Sequence, residues 1–142
     1  MLEKRELIMT RCHSIAATIP SSFNLTIERR VGDPDPLTLD PNQFPYLAVK
    51  DDVVFVQDVV NRRETTNLLA GFTFYVNQHQ DITPTTLNQM IDDLKERLYT
   101  DSDLIDLIDS IRWNSDFKER VPNTYITIVR CQATINYEEQ VY

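Results

Sequence analysis

Residues 124–139, TYITIVRCQATINYEE, alternate in character over an unusual length. Tyr125, Thr127, Val129, Cys131, Ala133, Ile135 and Tyr137 fall on one side, and Arg130, Gln132, Thr134, Asn136 and Glu138 on the other. A period of two marks a β-strand with one face buried. At about 3.3 Å per residue, ~14 residues extend roughly 46 Å. A strand of that reach crosses a whole domain and projects beyond it. The rest of the chain must therefore build a sheet around it.

The 142-residue sequence supplies the material for a single domain, residues 1–142, with a sizeable core. Residues 2–18 read as a helix with an imperfect stripe of Leu2, Leu7, Ile8, Ile15 and Ala16, stopped by Pro20. Strand patterns follow at 23–31, 46–50 and 53–57, the last two separated by Asp51 and Asp52. Another covers 68–77, with Leu68, Ala70, Phe72, Phe74 and Val76 on one face. Gly71 inside it marks a bulge or the close approach of a neighbour. Thr83 and Pro84 open a helix whose Leu87, Met90, Ile91, Leu94 and Leu98 form one apolar stripe. A shorter helix is expected over 101–113, then an irregular connection over 114–122. The order predicts an α+β fold: a mostly antiparallel sheet of four to five strands, with an N-terminal helix and a central helix pair packed on one face.

Two segments look made for contact. Residues 33–43 lie in the run GDPDPLTLDPNQFP, whose prolines and aspartates forbid regular structure. Residues 58–67 are polar and read as poorly self-structured. Asp33, Asp35, Leu37, Asp40, Asn42, Arg62, Arg63 and Glu64 are the interface candidates these segments offer, joined by Arg29 and Arg30. The arginine pairs read either as solvated strand-end charges or as partners for an acidic neighbouring subunit.

Net charge is −8, with the excess of acid confined to residues 51–142. An acidic chain repels phosphate backbones and anionic bilayers, so sequence-independent nucleic-acid binding and membrane association are not expected. The first twenty residues lack the apolar core of a signal peptide, and a cytoplasmic origin is expected. Cys12 and Cys131 read as buried thiols.

Asp101, Asp103, Asp106 and Asp109 are the densest patch of potential chemistry. A calcium loop needs a central glycine and a closing glutamate, and Asp106 and Arg112 stand at those places. Helix geometry accounts for the acids better: Asp101 caps, Asp103 meets the positive helix end, and Asp106 and Asp109 face water. A weak cation site is the alternative. Cys12, His13, His79 and Cys131 lack zinc-ligand spacing. No glycine-rich loop exists to hold phosphate, and neither histidine sits in a motif that arms a nucleophile. No catalytic residue, metal or cofactor is assigned, and the expected function is not enzymatic. A small cytoplasmic hydrolase with scattered carboxylates is the alternative from another class.

Taken in sequence, these elements resemble the tail terminator (tail completion) proteins of long-tailed bacteriophages. The likeness runs from the opening helix and the strand ending in basic residues, through FPYLAVKDD and LLAGFTFYVN, to TLNQMIDDLKERLYTDSDLIDLIDSI and the strand TYITIVRCQATINY. The resemblance implies a ring, usually a hexamer, at the head-proximal end of the virion tail, assembled in the host cytoplasm. Its partners would be further copies of itself, the tail tube protein, and a neck or connector protein. It would stop tube growth and offer a docking surface for the head or neck, while DNA passes through the channel without specific binding. Asp106 and Asp109 would then face an acidic lumen or a neighbour. Neck and head–tail connector rings share similar layouts and are the nearest alternative.

Overall fold

In the computed structural model, which describes residues 3–77 and 82–140, the long alternating segment lies inside the sheet rather than at its border. This strand, β5 (Ile126–Gln140), is flanked by β3 (Arg63–Asn77) on one side and β4 (Ser110–Arg120) on the other. β2 (Tyr46–Val60) pairs with β3, and β1 (Thr26–Arg29) closes that side, giving the order β1-β2-β3-β5-β4. β1 runs parallel to β2, and every other pairing is antiparallel.

The helices are α1 (Lys4–Ala16), α2 (Pro84–Thr100) and α3 (Ser102–Leu107). Their apolar side chains share one cluster with alternate residues of the strands. Leu68, Ala70, Phe72, Phe74 and Val76 of β3 and Val129, Cys131, Ala133, Ile135 and Tyr137 of β5 meet Ile8, Met9 and Cys12 of α1 and the whole stripe of α2 there. The predicted face of β3, the α2 stripe and the α+β architecture hold, and so does the β5 face from Val129 to Tyr137; Tyr125 lies before the strand and is exposed. The Thr83 hydroxyl accepts the Thr86 N–H at 3.1 Å, as its place before Pro84 led one to expect. In α1, Ile8, Met9, Cys12, Ile15 and Ala16 carry the burial, while Leu7 is exposed and Leu2 lies outside the described residues.

Among the described residues, the other face of the sheet is covered only at one end. Phe44, Tyr46, Ala48, Tyr75, Ile126 and Ile128 form a second cluster there, with Leu39 and Val121 packed against it. The proline-rich segment before β2 closes over this cluster through two short 3-10 turns, Pro36–Thr38 and Pro41–Gln43. The Asp35 carboxylate accepts the Leu37 N–H at 3.0 Å, and the Gln43 side-chain Oε1 accepts the Asp40 N–H at 2.8 Å. Proline and aspartate thus fix a defined path where they prevent helix and strand.

Four local expectations are corrected. The first strand is only Thr26–Arg29, because Ser21–Phe23 form a 3-10 turn and Asn24 takes a left-handed φ of 52°. The segments 46–50 and 53–57 are one strand, continuous through Asp51-Asp52 by way of a bulge between Asp51 and Val53. Residues 58–67 are well structured: β2 and β3 continue to Val60 and Arg63, joined by a two-residue turn at Asn61-Arg62 with φ of 52° and 65°. Helix α3 ends at Leu107, where Ile108 is already extended, and residues 110–120 form β4 instead of a helix end and an irregular connection.

Candidate interaction surface

The sheet has two borders that differ in what protects them. On the β2 side, β1 covers only Tyr46–Val49, and the Arg30 N–H bonds the Val49 carbonyl at 3.0 Å before the chain turns away. Beyond that point, among the described residues, β2 has no strand on its outer side. Its exposed side chains there include Val53, Phe55, Val56, Val59 and Val60. An open edge carrying four exposed valines and a phenylalanine is a ready site for pairing with another chain. Two bulges, between Asp51 and Val53 and between Val56 and Asp58, break that edge into short regular pieces.

On the opposite border, β4 is exposed along most of its length, including Phe117. Trp113 is its anchor to the core, stacked on Phe72 with ring centroids 6.0 Å apart. The Trp113 N–H donates to the Tyr99 hydroxyl at 2.7 Å, so α2 covers the edge at that point. A bulge between Trp113 and Ser115 follows, after which Ser115–Arg120 pair regularly with β5.

The interface candidates from the sequence fall into three groups. Asp35, Leu37, Asp40 and Asn42 are exposed on the proline-rich segment, with Leu37 showing 68% of its surface. Asp33 is different: its carboxylate is half-buried and ion-paired to Lys50 at 3.0 Å and Arg130 at 3.6 Å, where it latches this segment to the sheet. Burial works against the Lys50 ammonium, but Asp33 and Asp52 together raise its pKa above the ordinary lysine value. Asp52 in turn lies over Gly71, where a Cβ would sit 2.6 Å from the carboxylate, so a neighbour's close approach explains that glycine.

Arg62, Arg63 and Glu64 sit at the hairpin tip, and Arg63 reaches Glu138 at 3.4 Å. Arg29 bonds Glu6 of α1 at 2.6 Å, which lowers the Glu6 pKa, and Arg30 lies 3.7 Å from Glu28. Both arginines therefore have ion-pair partners within the chain. The structure does not bring them together with the hairpin tip. Sequence reading missed Phe55, Val56 and Phe117; their signal was that an apolar strand residue without a covering helix remains in view.

The acidic patch is divided by its geometry. Asp101 Oδ2 accepts the Leu104 N–H at 2.9 Å and so caps α3. It also binds the Arg11 guanidinium through two bonds of 2.8 and 2.6 Å. Arg11, aided by the Leu104 N–H, holds the Asp101 pKa below the usual carboxylate value. Asp103 lies 3.5 Å from Arg11. Asp106 is exposed on α3, whereas Asp109 is exposed beyond the helix, its N–H bonding the Asn136 carbonyl at 2.8 Å. Among the described residues, no three His, Cys, Asp or Glu side chains group as metal ligands. His79 lies outside those residues. Cys12 and Cys131 are free thiols in the main core, and burial pushes Cys12 up to about 12 and Cys131 further still. Thiols so far from ionising are poor nucleophiles. No helix of the described residues is long and apolar enough to cross a membrane.

Comparison with known proteins gives no match to a protein-family model and none to a curated protein sequence.

Proposed function

We propose that this chain is a structural virion protein that assembles into a ring, of six copies by the resemblance, at the head-proximal end of a bacteriophage tail tube. There it ends tube polymerisation and provides the surface on which the head or neck docks. The observation that carries this reading is the β2–β3 hairpin, which runs past the ends of β1 and β4 with apolar side chains exposed on an edge that no strand of the described residues covers. Surfaces of that kind are spent on protein contacts, since they expose both valine side chains and unpaired backbone groups. The sequence resemblance supplies the partner class, and the acidic net charge suits a channel along which DNA slides without sticking.

Particle mass and electron microscopy of the purified protein test the ring. A monomer at every concentration sinks the proposal. Adding the protein to polymerising tail tubes tests the role, because a terminator fixes tube length. Rings that leave tube length free would point to the neck or connector role instead.

A further inference from the structure

Two phenylalanines at opposite borders of the sheet carry an inference that rests on the ring reading. Phe55 pairs with Asn67 of β3, while Phe117 pairs with Arg130 of β5, which pairs with Thr73 of β3. Asn67 and Thr73 are six residues apart on one strand, so both phenylalanines lie on the same face, the one turned away from the helices. Phe55 is 54% exposed and Phe117 62%. We propose that, in the ring, the outer edge of β2 in one copy pairs with the outer edge of β4 in the next, so that Phe55 and Phe117 meet across the join.

Direction permits it. Three successive antiparallel pairings separate β2 from β4, so they run oppositely. Rotation about a ring axis then presents them to each other as antiparallel neighbours with both phenyl rings still on one face. Charge favours unlike edges. Residues 50–60 of β2 hold Lys50 and three aspartates, a net −2, while β4 holds Arg112, Lys118 and Arg120 against Asp116 and Glu119, a net +1. Two β2 edges would bring together −4 and two β4 edges +2, and either same-edge contact closes as a two-fold dimer rather than a ring. Each phenylalanine also lies within the regular part of its edge, Phe55 between the two β2 bulges and Phe117 beyond the bulge at Trp113.

The join sets a stagger that suits a closed sheet. Matching the row of Phe55 to that of Phe117 shifts each copy by six residues, about 20 Å, for every four strands, about 19 Å across. That ratio leans the strands by about 45°, at the upper end of the tilt found in closed barrels.

The test uses the full chain. Because Cys12 and Cys131 are buried, added cysteines report on the edges alone. The double variant F55C/F117C, mildly oxidised, should give a ladder of disulfide-linked multimers ending at the ring mass, and neither single variant should. F55D and F117D, both at exposed positions, should each raise the concentration for half-assembly by about tenfold or more, with the monomer's urea midpoint unchanged. Rings that persist in F117D without a ladder overturn the edge pairing and leave the ring reading standing. Linked dimers from F55C alone overturn it in favour of same-edge contact. A wild-type protein that never assembles overturns both.

Discussion

Asp101 joins two roles in one carboxylate, which caps α3 and ties it to α1 through Arg11. Replacing it with alanine removes both functions, and the lost cap alone costs about 1 kcal/mol. D101N should cost less, since asparagine still accepts the Leu104 N–H. The folded-state pKa is depressed, so the carboxylate stabilises the fold above its unfolded pKa and ceases to do so as pH falls through the folded one. The difference between wild type and D101A in urea unfolding should therefore be full at neutral pH and shrink in acid. A difference that stays constant across that range would mean that the charge of Asp101 is irrelevant. The sequence placed this cap correctly because an aspartate before an apolar stripe has few other uses. It gave no hint of Arg11, which is ninety residues away.

At the level of elements, the hairpin turn was illegible for a specific reason. Two-residue turns of this kind need positive φ at both central positions, and glycine at the second is the signal usually sought. Here Arg62 takes φ of 65° without a glycine, and the flanking Arg63, Glu64, Thr65 and Thr66 look like loop composition. Replacing Arg62 with glycine should raise stability by about 0.5 kcal/mol: the left-handed strain is relieved, and greater freedom of the unfolded chain offsets part of the gain. Thermal unfolding at a concentration below assembly measures it, and a drop in midpoint would mean that the arginine side chain is itself stabilising the tip. β4 was hidden by a different cause. It is an edge strand with little buried surface, and its bulge after Trp113 shifts the period, so Ile111 and Trp113 read as the end of a helix. By contrast, β3, β5 and α2 were legible because each buries one regular face in the main core.

Among the described residues, the sheet is covered by helices on one face, and on the other by the proline-rich segment at one end. That segment read as a free contact loop because prolines and aspartates conceal tertiary anchoring. Pro34, Phe44 and Asp33 hold it to the sheet, leaving Asp35, Leu37, Asp40 and Asn42 to face outward. Removing residues 34–41 would therefore uncover Tyr75 and Tyr46 as well as delete a contact surface, and cannot separate folding from assembly. A single atom serves better. The Tyr75 hydroxyl donates to the Pro34 carbonyl at 3.0 Å in a buried setting, and Y75F leaves that carbonyl without its partner. The expected cost is about 1 kcal/mol. Because the phenyl ring keeps its packing against Tyr46 at 5.7 Å, the loss should fall on the segment and not on the sheet. Hydrogen exchange should then quicken for backbone amides in residues 32–45 while β3 and β5 keep their protection. Equal loosening of β3 and β5 would mean that the segment is part of the cooperative core. Unchanged exchange would place its anchoring entirely in the ion pairs of Asp33 with Lys50 and Arg130.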